Sequence, residues 1–181
     1  MESKEVKSSV KKNKQNNISL ILDSYNDIFS DFDSRGYSEK ALSDDFLAEC
    51  KRAARDKEPG FELILSVPKS ERNTKDETSV KKRLKNHFER HYTQQKKEIH
   101  AVKKDGIKWI IAGSILLILS AILETYTENF LINLAMVITI PSGWFGFWEG
   151  LNKIFIRSEE KEPEAIFYKK MNNANILFID Y

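Results

Sequence analysis

The sequence predicts an α+β protein: a small β-α-β-α domain of about three strands, joined to a two-helix transmembrane hairpin. Two observations support this class. Two strongly apolar segments of nearly membrane-spanning length lie six residues apart in the second half of the chain. Elsewhere, short segments of alternating apolar and polar residues stand between longer segments with the apolar spacing of a helix.

The charge of the chain is unevenly distributed, although its net charge is only +2 over 181 residues. Residues 81–104 hold nine Lys and Arg against two Glu, a net charge of +7, and residues 23–45 hold seven Asp and Glu against two basic residues, a net charge of −5. The two segments could pair within one chain, pair between chains or remain two solvated faces. Cys50 is the lone cysteine, which excludes an intrachain disulfide and suits a reducing compartment.

The strands of the folded domain are predicted from alternation. Residues 17–23 and 61–67 both alternate, and in the second of them Phe61, Leu63, Leu65 and Val67 share one face. The last residues, 175–181, form a third candidate strand that could join the same sheet after the hairpin. With helices on one face of the sheet, its other face or its edges would be free for a neighbouring copy.

Two helices of the same domain are predicted from their starting residues. Ser43 is the expected N-cap of the first, because two acidic residues follow it. The second starts at Thr74 with Glu77 in a capping box, and its apolar stripe continues toward residue 124. We expect a bend near Asp105 and Gly106, and one continuous helix is the alternative.

The hairpin is predicted from residues 107–123 and 130–148. A helix needs about 20 apolar residues to cross a bilayer, within a range of about 17–25. The short connection at residues 124–129 requires the two helices to be antiparallel. A buried hairpin of a soluble protein is the alternative, but so small a domain could not cover both segments.

The basic residues around the hairpin predict its orientation. Residues 86–106 and 149–170 hold five Lys and Arg each, whereas residues 124–129 hold none. The positive-inside rule therefore places both termini in the cytoplasm, as in a multi-pass protein of the inner (cell) membrane. The predicted organisation is a disordered basic tail, a cytoplasmic domain ending in a long basic helix, the hairpin, and a cytoplasmic helix and strand, at residues 1–16, 17–105, 106–150 and 151–181.

The basic end of the first span is expected to meet the lipid surface. Lys103, Lys104 and Lys108 would contact anionic lipid, with Gly106 as a swivel beneath the bilayer. The same basic segment could suggest nucleic acid, but aromatic residues are sparse in it and it holds no recognition motif. Lipid is therefore the predicted partner, and nucleic acid is not.

Small residues in the spans predict close helix packing. Rows of Gly, Ser and Ala allow helix backbones to approach each other where lipid removes the hydrophobic driving force. Two helices rarely make a finished membrane domain, so we expect several copies to assemble into a homo-oligomer. The residues predicted to pack are Gly113, Ser120, Ser142, Gly146 and Gly150.

Chemical motifs are few, and no catalytic residue or cofactor is assigned. Only two glycines precede the hairpin region, which excludes a Gly-rich phosphate loop. His87 and His91 share a helix face, but Glu89 points away from them and a third ligand is missing, so we expect no metal site.

The most distinctive segment alternates acids with aromatic residues over residues 23–37. Asp27, Asp31, Asp33 and Arg35 could form a structural loop, a subunit contact or a cation site, although the spacing does not match an EF-hand. Arg72 could meet this acidic segment or an anion. These five residues are the candidate ligand- or partner-binding residues.

Three stretches resemble small uncharacterised prokaryotic membrane proteins with two transmembrane helices and an N-terminal cytoplasmic domain. They are ISLILDSYNDIFSDFDSRGYSEKALSDDFL, LILSVPKSERN and the membrane pair that follows. The resemblance covers most of residues 17–125. It implies the membrane arrangement and carries no activity to any residue.

Three functions are therefore weighed. The favoured hypothesis is a non-enzymatic, membrane-anchored homo-oligomer that acts as a scaffold or docking platform. The alternative is a ligand- or signal-gated pore, or a membrane-disrupting effector, built from assembled hairpins. A membrane-bound enzyme using Asp27, Asp31 and Asp33 is the third.

Overall fold

The structure is a computed structural model that describes residues 16–126 and 130–181. The predicted basic tail lies outside the described residues, apart from Asn16, as does the second half of the connection between the two spans. The chain divides into two compact units. The first is Met1–Thr93 with Ile166–Tyr181, described from Asn16 onward, and the second is Gln94–Ala165.

The first unit is built on one sheet of three parallel strands, which confirms the α+β class. The strands are β1 (Ile18–Ile21), β2 (Glu62–Val67) and β3 (Asn175–Asp180), in the order β1-β2-β3. Ile18 is paired with Leu63, and Leu63 with Ile176, so these three residues form one row across the sheet. The last strand of the chain therefore lies beside β2, in the sheet that the first two strands begin.

Four α-helices accompany the sheet in the part of the chain that the structure describes. Helix α1 (Asp44–Ala54) connects β1 to β2, and α2 (Thr74–Leu123) begins soon after β2. Helix α3 is Phe130–Asn152 and α4 is Glu162–Asn173, which leads into β3. Short 3₁₀ segments lie at Tyr25–Ile28, Lys69–Glu71, Glu124–Tyr126 and Glu159–Lys161, and a π-helical turn lies at Lys153–Arg157.

The hydrophobic core lies against one face of the sheet, as the alternation predicts. Phe61, Leu63, Leu65 and Val67 are all at most 1% exposed, and they pack with buried residues of the helices. The helix residues in this core are Phe46, Cys50 and Ala54 of α1, Val80, Leu84 and Phe88 of α2, and Phe167, Tyr168 and Met171 of α4. Burial raises the pKa of the Cys50 thiol to about 12, so this thiol is a packing group that stays protonated at neutral pH.

Helix ends in the first unit are held by side chains. Ser43 caps α1 by accepting from the Phe46 amide, as predicted. Helix α2 begins at Thr74, and it is Asn73 that accepts from the Lys75 amide, so Asn73 occupies the capping position that the sequence pattern assigns to Thr74. Lys170 donates to the carbonyls of Ala54 and Arg55 and so closes the C-terminus of α1.

The second unit contains the rest of α2, helix α3 and the start of α4. Helix α2 remains helical through Asp105 and Gly106, so it is the continuous helix that was the alternative to the expected bend. Helix α3 also remains helical through Pro141. Both apolar segments predicted from the sequence are therefore single helical segments.

Candidate functional site

The apolar part of the second unit is the most distinctive surface of the protein. Helix α2 and the helical segment that begins at Phe130 are long and apolar enough, by length and composition, to cross a membrane. Only 17% and 11% of their apolar windows are buried inside the structure. The core helix of a soluble protein would be mostly buried, so the two segments do not have the packing of such helices.

Glycines bring the two helices of this hairpin into backbone contact. A Cβ atom built on Gly113 would lie 2.5 Å from the Phe147 amide nitrogen and 2.6 Å from the Gly143 carbonyl oxygen. A Cβ atom on Gly150 would lie 2.6 Å from the carbonyl oxygen of Gly106. The helices therefore approach so closely that only glycine fits at these positions.

The spacing of these contacts follows a repeat of seven. Gly106, Gly113 and Ser120 are seven residues apart on α2, a spacing that keeps them on one face of a helix that pairs with another. At the far end of the row the hydroxyls of Ser120 and Thr139 lie 2.8 Å apart. Gly106 is thus a packing position against α3, and the expected swivel is wrong because the Gly106 backbone lies against Gly150.

The predicted packing residues separate into two groups. Gly113, Ser120, Gly146 and Gly150 are buried between the two helices of one chain. Ser142 is exposed, and its hydroxyl donates to the Ile138 carbonyl of its own helix. Most of the small-residue surface is therefore used inside the hairpin.

Charged residues join the two helical segments just beyond the apolar region. Lys153 contacts Asp105, lies 4.0 Å from Glu149, and has its amine 5.3 Å from the ring centre of Trp109. Only 14% of the Lys153 side chain is exposed. Hydrogen bonding to Lys153 lowers the pKa of Asp105, so this carboxylate stays ionised at neutral pH.

The three lysines predicted to meet lipid differ in their surroundings. Lys104 and Lys108 are exposed and lie four residues apart on one helix face. Lys103 is half-buried and lies 3.8 Å from the Glu162 carboxylate. A lipid contact at Lys104 and Lys108 stays a prediction, and at Lys103 it would have to compete with Glu162.

The acidic and aromatic segment is a tightly bonded loop. Asp27 accepts from the amides of Asp23 and Ser24 and completes a capping box around the 3₁₀ turn Tyr25–Ile28. Asp33 accepts from Arg35 at 2.6 Å and from the Ala41 amide at 2.7 Å. Hydrogen bonds from Arg35 lower the pKa of Asp33, so this carboxylate is ionised at neutral pH.

Two of the candidate residues in this loop are therefore neighbours, and two are not. Asp33 and Arg35 form an ion pair, whereas Asp27 bonds to backbone groups and Asp31 is exposed. Next to Asp31 stands Phe32, which is 102% exposed. Within residues 16–126 and 130–181, no group of three or more His, Cys, Asp or Glu side chains is arranged as metal ligands.

Arg72 lies in a different place from the acidic loop. Its guanidinium donates to both carboxylate oxygens of Glu77, at 2.8 and 3.2 Å, and approaches Asp180 at the end of β3. Glu77 is 5% exposed and also accepts from the Tyr25 hydroxyl, which in turn accepts from the Asn73 amide. The network connects Tyr25, shortly after β1, with Asp180 at the end of β3, at the carboxyl edge of the sheet. Burial is the main cause that raises the pKa of Tyr25.

His87 and His91, which share a helix face without forming a predicted metal site, lie beside the ring of Tyr168. The ring centres of His87 and His91 are 4.2 Å apart, and His91 stacks on Tyr168 at 5.0 Å. Burial, with the nearby charges of His91 and Arg83, lowers the pKa of His87 to about 4. The pair is therefore part of the packing between α2 and α4 in the first unit.

Sequence analysis did not predict two contacts between distant residues, that of Glu77 with Tyr25 and that of Asp105 with Lys153. Glu77 was assigned to a helix cap, and its role as the buried partner of Arg72 and Tyr25 depends on a contact between residues 52 positions apart. Asp105 and Lys153 are likewise 48 positions apart. The hairpin interface itself is signalled in the sequence by the small residues on both helices, among them Gly113, Ser120 and Gly146.

Comparison of the chain with models of known families, with curated proteins and with solved structures gives no match. The resemblance to two-helix prokaryotic membrane proteins therefore stays a prediction. The function has to be argued from the geometry alone.

Proposed function

We propose that this chain is an integral membrane protein with both termini in the cytoplasm, and that it forms a homo-oligomeric, membrane-anchored scaffold or docking platform. The observation that carries the proposal is the exposure of the two apolar helical segments, whose windows are only 17% and 11% buried.

Free energy supports a lipid environment for this surface. The exposed large apolar residues between positions 107 and 148 include Ile111, Ile118, Leu131, Val137 and Phe145, each more than half exposed. Complete burial of one such side chain contributes about 1.5–3 kcal/mol. More than a dozen of them in water would cost on the order of 15 kcal/mol, which is as large as the whole stability of a typical domain, about 5–15 kcal/mol.

The charges at the two ends of the hairpin support the orientation. The ion pairs of Lys153 with Asp105 and of Lys161 with Glu98 lie at the end where the basic residues are concentrated. At the other end, Glu124 and Thr125 are exposed and no Lys or Arg occurs in residues 124–129. Such an asymmetry is typical of a hairpin whose two ends are cytoplasmic.

Impermeant maleimide labelling tests the topology. Single cysteines would replace Glu124 in the connection and Tyr181 at the C-terminus, both exposed, in a chain whose own Cys50 is fully buried. In intact cells we expect labelling at position 124 and none at position 181 until the cells are lysed. Labelling of position 181 in intact cells, or release of the protein from membranes at alkaline pH, would contradict the proposal.

The scaffold role is tested by counting copies in a bilayer. Single-molecule photobleaching of the fluorescently tagged chain in nanodiscs should give more than one step per particle at dilute loading. A strict monomer would remove the oligomeric part of the proposal. Dye release from liposomes tests the alternative function, the gated pore or membrane-disrupting effector, which predicts leakage that a scaffold does not.

A further inference from the structure

One face of the sheet is turned away from the core cluster, and along its central strand Ile64 is partly buried and Ser66 is 6% exposed. Register places Ser19, Ile64 and Leu177 in one row and Ile21, Ser66 and Ile179 in the next; these six residues are named the open face. Ile21 is 75% exposed and Ile179 is 44% exposed, although both stand in strands.

The core uses only the opposite face. The strand residues in the core cluster are Ile18, Leu63, Leu65, Val67, Ile176 and Phe178, which alternate with the open face along each strand. Parallel sheets occur almost only with both faces covered, because their strands are apolar on both sides. The open face has the composition of a covered face, with four large aliphatic residues and two serines.

The chemistry of this face suits contact with an identical surface. In a two-fold interface the residues at the axis meet their own counterparts, so a charge at the centre would repel itself. The two rows of the open face contain no charged side chain. Polar residues lie at one end of it, where Asn17 donates to Glu62 at 2.9 Å, so an apolar centre has a polar border as protein interfaces do.

We propose that the open face is the contact through which two copies of this chain pair sheet to sheet. The proposal rests on the homo-oligomeric function proposed above and assigns a surface to it. The chain's own first fifteen residues are a poor cover, since Met1, Val6 and Val10 are their only large apolar residues and five lysines accompany them. A second copy supplies an equal, uncharged aliphatic surface.

The small size of the open face means that two copies pair only when both are anchored in the same membrane. Three strands about 4.8 Å apart and about four residues long give a face of roughly 200–300 Å². A stable interface between soluble proteins buries about 800 Å² per partner, so the face is too small to hold two free chains together. Anchoring both copies in one membrane raises their effective concentration to the millimolar range, where a weak contact becomes occupied.

Disulfide cross-linking of the full chain in liposomes tests this surface. Ile64→Cys places a thiol at the centre of the open face, and Lys51→Cys places one on the exposed side of α1 as a matched control. Cys50 is fully buried and serves as an unreactive background thiol. We expect a dimer-sized band with Ile64→Cys at a yield at least about tenfold above that of Lys51→Cys, because proximity raises effective concentration by orders of magnitude.

Charge placed on the face gives a second, independent test. Ile21→Asp, combined with Ile64→Cys, should lower the cross-link yield about tenfold or more, since like charges then oppose each other across the interface. Phe32→Asp is the control, because it removes an even more exposed apolar side chain from a loop outside the sheet. It should leave the yield unchanged.

Two results would overturn the inference in different ways. If the chain is oligomeric in nanodiscs but Ile64→Cys cross-links no better than Lys51→Cys, the open face is not the contact and the proposed function stands. If the chain is monomeric in nanodiscs, the proposed function and this inference fail together.

Discussion

Adding one methyl group at Gly113 should separate the two helices of the hairpin. The Cβ atom of Gly113→Ala would lie 2.5 Å from a backbone nitrogen and 2.6 Å from a backbone oxygen of α3. Ordinary contacts of a Cβ atom begin at 3.4 Å, and backbone atoms cannot rotate away as a side chain can. The helices must therefore move apart by about 1 Å, and close-packed interfaces transmit such a shift along their length.

The magnitude follows from two opposing effects. Alanine is favoured over glycine inside a helix by about 1 kcal/mol, so a methyl group in open space would stabilise α2. Overpacking of a tight interface costs about 1–3 kcal/mol, and here the clash is with backbone on both sides. Subtracting the gain of about 1 kcal/mol in helix propensity leaves a net weakening of the hairpin of up to about 2 kcal/mol. At tenfold for each 1.4 kcal/mol, this is an equilibrium effect of up to about 30-fold.

A disulfide at the far end of the same row measures the separation. Ser120 and Thr139 have hydroxyls 2.8 Å apart, so Ser120→Cys with Thr139→Cys should form an intrachain disulfide in redox buffer. After denaturation, a maleimide of high mass counts the remaining thiols, and Cys50 provides one constant tag. The fraction oxidised should fall when Gly113→Ala is added.

Matched variants decide whether the close contact is the cause. Ala112→Val adds carbon atoms on the exposed side of α2 next to Gly113 and should leave the disulfide unchanged. Gly146→Ala should have a smaller effect than Gly113→Ala, because its nearest contact is 3.2 Å. An equal disulfide yield in Gly113→Ala and the parent, or a larger effect of Ala112→Val, would refute the reasoning.

Three further predictions concern buried charged or titratable groups. Arg72→Ala should destabilise the first unit, because it leaves the 5%-exposed Glu77 without its cation. Hydrogen exchange of the full chain should become faster in the first unit, and Arg72→Lys should recover part of the loss. Lys153→Ala should lower the fraction of the same disulfide that forms, and Lys161→Ala should lower it less, because the Lys153 side chain is 14% exposed and the Lys161 side chain is 39% exposed. The folded chain protonates His87 at a pKa of about 4, below the ordinary value of 6.5, so stability should fall as the pH drops from about 6.5 to 4, by roughly 1–2 kcal/mol for this half-buried group. His87→Gln should lose that share of the dependence, and an identical pH profile for the thermal midpoint of the variant would contradict the assignment.

Local patterns predicted most elements of the fold. Alternation located all three strands to within about a residue or two, and the side chains of Leu63 and Leu65 are buried as that alternation requires. Ser43 caps α1 because a short polar side chain followed by acids fits only the start of a helix. Each of these features depends on neighbours a few positions away, and a single sequence contains that information.

Contacts between distant residues were beyond such patterns. The order β1-β2-β3 depends on β3 returning to the sheet after residues 68–174, and no local periodicity specifies which strand it joins. Glu77 fits a helix cap by its spacing, but Arg72 and the buried Tyr25 both bond to its carboxylate. Among the candidate site residues, Asp33 and Arg35 are in contact, and they are only two positions apart in the sequence. Arg72 forms its ion pair with Glu77 and not with the acidic loop.

The glycines alter the argument for self-association. Rows of small residues in the spans predict surfaces where copies meet. In the structure, Gly106, Gly113 and Gly150 instead lie in contact between the two helices of one chain. A glycine whose missing Cβ is already filled by its own chain's backbone offers no groove to a neighbour. An assembly of copies would therefore use surfaces other than these three glycines. In the proposed membrane arrangement, lipid covers the exterior of the hairpin, since hydrocarbon is as apolar as the side chains it covers. In the same arrangement the open face is in water, so a second copy that removes Ile21 and Ile179 from water gains free energy there.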